Sequence, residues 1–184
     1  MSVRRKRPAM PGVKQSVDVD SMIRVDHAGE YGAVRIYEGQ LAVLGKSKSE
    51  TANAIRKMAE QEQEHLAAFD RIVNARRVRP TALEPIWRVA GFALGAATAL
   101  MGEKAAMACT AAVEEVIDEH YGQQIEKLDG EPALKEDIEK FRADEIAHKD
   151  EAIAHGAEEA PAYRLLSETI KAGCRLAIKL SERI

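Results

Sequence analysis

The chain has 184 residues, 46% hydrophobic and 4% aromatic: enough apolar material for one buried core, and too little aromatic content for a sandwich or barrel. A net charge of −3 supplies no global positive field and excludes nucleic acid as the natural partner. The two cysteines, Cys109 and Cys174, cannot build a CxxC knuckle, and the longest uncharged run, Val89–Gly102, has 14 residues, short of the roughly 18–20 that cross a bilayer as a helix.

Residues 1–17 carry Arg4, Arg5, Lys6, Arg7 and Lys14 with no acid and no apolar signal core, and are expected to form a disordered basic arm. Setting these five aside leaves 22 of the 27 basic residues against 30 acidic ones, so residues 18–184 form one acidic domain. A first helix is expected from a cap at Ser16 or Asp18 to Leu44, with Gly45 ending it in the left-handed conformation that only glycine adopts cheaply. A second, from about Ser49 to Arg76, sets Ile55, Met58, Glu62, His65, Phe69 and Ile72 on one face at steps of three or four. After a loop limited by Pro80 and Pro85, the segment Ile86–Met101 is apolar all round and must press into protein or lipid. Further helices are expected over Glu103–Leu128, from Pro132 to about His155 with Gly156 as the stop, and from Pro161 onward. The sum is an all-α four-helix bundle with an apolar segment between its halves and an additional amphipathic C-terminal helix.

Two Glu-x-x-His pairs, Glu62–His65 and Glu145–His148, stand where composition alone gives roughly 0.6. Glu30 lies 32 residues before Glu62 and Glu114 lies 31 before Glu145, so the halves repeat at offsets of 84 and 83. Tyr37 follows Glu30, and Tyr121 follows Glu114, by two helical turns. Glu30 and Glu114 sit among small residues, in "DHAGEYGA" and "ACTAAVEEV", where helices approach closely and an uncompensated carboxylate costs on the order of several kcal/mol. Four inward carboxylates balance two divalent cations, and two neutral imidazoles complete the ligand pattern of di-metal carboxylate bundles. Carboxylate and imidazole without thiolate suit iron or manganese, with iron favoured.

The stretches "IRVDHAGEYGAVRIYEGQLAVLG", "FALGAATALMGEKAAMACTAAVEE", "HYGQQI" and "AGCRLAIKLSERI" resemble the demethoxyubiquinone hydroxylase family of ubiquinone biosynthesis over nearly all of Val19–Ile184. The resemblance implies a ferritin-like bundle in which two iron ions and O2 hydroxylate the ring of a demethoxyubiquinol, a polyprenyl quinol. It implies Glu30, Glu62, His65, Glu114, Glu145 and His148 as metal ligands. Glu114 is preferred to Glu115 because its step to Tyr121 repeats that from Glu30 to Tyr37. It implies NADH or the quinol as external reductant, since no GxGxxG or CxxC module is built in. It also implies a peripheral membrane location, on the cytoplasmic face of a bacterial inner membrane or the matrix face of the mitochondrial one, and a lipid-binding accessory protein in some organisms.

A polyprenyl quinol must be drawn from lipid, so Ile86–Met101 and the last helix are expected at a membrane surface. In that helix Tyr163, Leu166, Ile170, Ala177 and Leu180 line an apolar side, and Lys171, Arg175, Lys179 and Arg183 form a ridge suited to anionic headgroups. Gly91 and Gly95 form a GxxxG spacing, a weak signal of close helix packing. Tyr121 and His120 are the candidate catalytic residues, Tyr121 sharing the face of Glu114 and so placed to relay a proton or an electron, while Asp26 and Asp144 are candidates to orient the ligands. The alternative function is a ferritin-type ferroxidase or iron-storage bundle, which shares the six ligands.

Overall fold

The computed structural model describes residues 18–184, and the basic arm assigned to residues 1–17 lies outside them. Six α-helices follow one another with no strand among the described residues: α1 (Val19–Leu44), α2 (Glu50–Arg76), α3 (Glu84–Leu100), α4 (Glu103–Ile125), α5 (Pro132–Ala154) and α6 (Tyr163–Ser181). A single 3₁₀ turn, Ala157–Glu159, precedes α6.

Local chemistry sets the helix ends. Asp18 accepts from the Ser21 N–H and Ser49 from the Ala52 N–H, both at 3.1 Å, each satisfying a donor that the first turn leaves over. Pro85 and Pro132 occupy first-turn positions, where a missing N–H costs nothing. Gly156, at φ 83°, stops α5 in the left-handed conformation, as expected. Gly45 does not: its φ is −63°, because the Arg56 guanidinium takes the Gly45 and Ser47 carbonyls and no left-handed cap is needed. The left-handed stop of α2 falls on Arg77, at φ 54°.

The helices pack as a bundle in which α1 pairs with α2 and α4 with α5, while α3 lies along α1 and α6 along α4. The α1–α3 seam is backbone against backbone. A Cβ on Gly95 would stand 1.9 Å from the Ile36 carbonyl oxygen, and one on Gly39 2.1 Å from that of Phe92. The GxxxG spacing therefore marks a real close approach. Gly95→Ala should destabilise by about 3 kcal/mol through overpacking, read as a fall of about 6–12 °C in thermal melting; an unchanged Tm would contradict the seam.

The segment expected to be apolar all round turns only the stripe Gly91, Gly95, Thr98 and Ala99 inward. Ile86, Val89, Leu100 and Met101 stay more than half exposed. No helix among the described residues is long and apolar enough to cross a membrane.

The last helix corrects the expected basic ridge. Lys171 is buried and donates to Glu115 at 2.7 Å, and Arg175 donates to Glu119 at 2.9 Å. The cause is the outer face of α4, whose two carboxylates, one turn apart, pair with both cations, burying Lys171 while Arg175 stays exposed. Lys179 and Arg183 are left exposed. Tyr163, Leu166 and Ile170 pack into the core, so the apolar side expected to face lipid largely faces protein. The exposed large apolar residues of α6 are Leu165 and Leu176.

Candidate metal centre and adjoining cavity

The i, i+3 spacing of a helix puts Glu62 and His65 together on the inner side of α2, and Glu145 and His148 together on that of α5. Glu30 enters from α1 and Glu114 from α4, and all six side chains are buried. Ligand atoms of Glu30, Glu62, His65 and Glu145 lie within 4.8 Å of one another, as do those of Glu62, Glu114, Glu145 and His148. The two groups share Glu62 and Glu145. His65 Nδ1 is 3.2 Å from Glu145 Oε1 and 3.6 Å from Glu30 Oε2. His148 Nδ1 is 3.0 Å from Glu62 Oε1 and 3.4 Å from Glu145 Oε2.

These close approaches are not well-formed hydrogen bonds. Among the described residues eleven buried side-chain N or O atoms make none, and eight of the eleven belong to these six residues, both imidazole Nδ1 atoms included. Buried polar atoms are normally paired, so eight orphans gathered in one place call for a ligand. Without a cation the cluster has to hold protons instead. Burial pushes Glu62 and Glu114 well above the usual carboxylate range, and the neighbouring Glu145 adds to both shifts. Burial also raises Glu145, against the pull of His65, to about 7. Burial opposes the charge on His65, but Glu145 and Glu30 outweigh it and push the imidazole up to about 11. Hard oxygens and two imidazole nitrogens without thiolate are a donor set for divalent transition ions, and the shared glutamates fit a dinuclear site.

Both imidazoles are fixed from outside. His65 Nε2 lies 3.1 Å from Asp144 Oδ2, and His148 Nε2 lies 3.2 Å from Gln61 Oε1. Donating Nε2–H outward leaves each Nδ1 lone pair for the cluster. Asp144 is the residue expected for this task, whereas Gln61 is an addition from the structure, although it stands 83 residues before Asp144 and precedes Glu62 as Asp144 precedes Glu145. Asp144→Asn should weaken metal retention about tenfold, measured by competition with a chelator; unchanged affinity would mean that the carboxylate does nothing for His65.

The tyrosines cross between the halves. Tyr37 OH donates to Glu114 Oε1 at 2.7 Å, and Tyr121 OH donates to Glu30 Oε1. Spacing stacks each tyrosine beyond the glutamate of its own helix, but α1 and α4 run antiparallel and hand each to the glutamate opposite. Burial, then the nearby carboxylates, raise both phenols well above their usual range, so both remain donors.

Beside the centre an apolar cavity of about 430 Å³ opens between α1, α3, α4 and α6. Val25, Ala33, Ile36, Leu94, Val116 and Ile170 contribute to its wall, and so do Glu30 and Tyr121 of the cluster. Nothing in the sequence spacing pointed to it.

Residues 17–181 match the family model described as ubiquinone biosynthesis protein COQ7. The chain belongs to the COQ7 family. It is similar to the 3-demethoxyubiquinol 3-hydroxylase of Rhodospirillum rubrum, 58% identical over 167 residues that cover 90% of this chain and 78% of that protein. It is similar to the NADPH-dependent 3-demethoxyubiquinone 3-hydroxylase, mitochondrial, of Rattus norvegicus, 55% identical over 170 residues covering 90% and 77%. The 5-demethoxyubiquinone hydroxylase, mitochondrial, of Saccharomyces cerevisiae is 41% identical over 186 residues covering 92% and 80%. The resemblance read from the sequence holds, and these relatives are named as hydroxylases, not as iron stores.

In this COQ7-family chain the two candidate catalytic residues both line the cavity. Tyr121 also touches the cluster through Glu30, whereas His120 turns to Asp26. His120 Nε2 lies 3.2 Å from Asp26 Oδ1, and Gln124 Nε2 donates to that same oxygen at 2.7 Å and reaches His120 Nε2 at 2.8 Å.

Proposed function

We propose that the chain hydroxylates the ring of a demethoxyubiquinol with O2, in a ferritin-like bundle where Glu30, Glu62, His65, Glu114, Glu145 and His148 would hold two iron ions, Glu62 and Glu145 being common to both four-residue groups. The observation that carries this reading is a common wall: Glu30 belongs at once to the buried cluster and to the apolar cavity, and Tyr121, which donates to Glu30, lines the cavity beside it. A ring held in that cavity lies against the centre with water excluded. Two ferrous ions held there would supply the electrons that activate dioxygen.

The chain's own residues hold and shield. Tyr37 and Tyr121 fix the Glu114 and Glu30 carboxylates by hydrogen bonds, and Asp144 and Gln61 fix the imidazoles. The apolar walls keep solvent protons away from the reacting ring. No dinucleotide module is present in the sequence, so reducing equivalents arrive from outside; the rat relative's name makes a nicotinamide the reductant to try first. The outward apolar residues of α3 and α6 belong to helices that also wall the cavity, which lets a polyprenyl quinol enter from a membrane surface.

Gly173 of α6 lines the cavity, and a Cβ there meets nothing within 4 Å. Gly173→Leu fills the space while gaining about 0.5–1 kcal/mol of helix propensity. With iron-loaded protein and a short-tailed demethoxyquinol, kcat/KM should fall at least about tenfold with metal content and Tm undiminished. Full turnover in that variant would put the substrate elsewhere.

A further inference from the structure

We propose that Asp26 Oδ2 accepts a ring hydroxyl of the bound quinol and thereby sets which edge of the ring meets the metal centre; this rests on the quinol hydroxylase assignment above. Asp26 is 2% exposed and lines the cavity. Its Oδ1 is occupied by Gln124 and His120, whereas Oδ2 has no hydrogen-bond partner among the described residues. The neighbouring polar groups of the wall are already engaged: Trp87 Nε1 donates to Ser181 Oγ, Thr169 Oγ1 to the Leu165 carbonyl, and Tyr121 OH to Glu30. The remaining Glu30 oxygen belongs to the cluster. An apolar cavity with one buried oxygen left over matches an apolar ligand that carries a hydroxyl donor.

The internal repeat provides a comparison within the same molecule. At the offset of 84, Asp26 corresponds to Thr110, Gln124 to Gln40 and His120 to Ile36. There Gln40 Nε2 donates to Thr110 Oγ1 at 3.3 Å and to the Ala106 carbonyl at 3.1 Å, and neither Gln40 nor Thr110 lines the cavity. A neutral hydroxyl is therefore enough to clamp α1 to α4. The cavity side uses a carboxylate with a second oxygen, which clamping alone does not require.

Trp87 is the single tryptophan and lines the cavity, so its fluorescence reports occupancy. Iron-loaded protein is titrated without oxygen at pH 8 with a short-tailed demethoxyquinol and with its bis-methyl ether, which keeps the ring and tail but lacks the hydroxyl protons. The wild type should bind the quinol at least about tenfold more tightly than the ether, as expected for a hydrogen bond to a charged group. Asp26→Leu should erase that preference while leaving the affinity for the ether within about twofold. Asp26→Asn, which keeps the clamp to Gln124 and offers the ring a donor in place of an acceptor, should reduce the preference to a few-fold and stands in if the leucine variant fails to fold. Iron content should stay the same in all. A preference that stays at its wild-type size in the variants, or is absent from the wild type, overturns the role of Asp26 alone. Absence of quenching by either compound overturns the cavity as the quinol site, and the role of Asp26 with it.

Discussion

Replacing Glu145 with alanine should leave a protein that holds at most one metal ion and hydroxylates at least about a thousandfold more slowly, a loss of about 4 kcal/mol in transition-state stabilisation. Glu145 is one of two residues common to both four-residue groups, so its removal opens both metal positions at once. Misfolding is not the expected cause. The lost group is a buried carboxylate whose proton affinity burial has already raised, and the metal-free variant should melt no lower than the metal-free wild type. Glu115→Ala is the matching control: Glu115 points to Lys171 on α6 and lies outside both groups, so iron content and turnover should survive. Metal per chain by mass spectrometry and product by chromatography decide both. Loss of iron from the Glu115 variant with retention in Glu114→Ala would reverse the assignment of that pair.

The metal-free protein should lose stability as pH rises from about 5 to 8, while the iron-loaded protein should not. The sign follows from where the protons sit. Glu145 is raised from 4.5 to about 7, so the folded state holds a proton that the unfolded chain has released; this contribution is complete below pH 4.5 and is lost as pH climbs through about 7. Glu62 and Glu114 are raised in the same direction. His65 is raised from 6.5 to about 11, and its contribution, complete below 6.5, drains away above that value. The surface carboxyls held low by cations, Glu131 beside Arg76 and Glu159 beside Lys104, act below 4.5 and leave the window untouched. Metal ions displace the same protons, so binding tightens with pH and the gap between the two melting curves should widen toward pH 8. Thermal melts at four pH values, with chelator and with anaerobic ferrous ion, measure it. A metal-free curve that rises over this range would show that the cluster carries no excess protons.

The buried carboxylate–imidazole cluster was legible in the sequence because its signals are short-range or repeated. The i, i+3 step of Glu62–His65 and Glu145–His148 is a property of one helix, and the offsets of 84 and 83 tie Glu30 and Glu114 to them. The same repeat pairs Gln61 with Asp144 and Gln124 with Gln40, but glutamine on a helix reads as solvated surface and carries no signal of its own. The cavity was out of reach for a different reason. Its wall comes from four helices whose separation is set by what meets across them, such as the Gly95 backbone against the Ile36 carbonyl. The fate of Lys171 and Arg175 was likewise decided by Glu115 and Glu119 on another helix, which a helical wheel of α6 alone cannot contain. Gly45 shows that a single cation, Arg56, can remove the need for a left-handed cap.

Crystals grown with ferrous ion and measured above and below the iron absorption edge test the central claim most directly. Two anomalous peaks should appear between α1, α2, α4 and α5, one against His65 Nδ1 and the other against His148 Nδ1, with Glu62 and Glu145 reaching both. A single peak, or iron bound only elsewhere on the chain while these six side chains stay paired with one another, would contradict it.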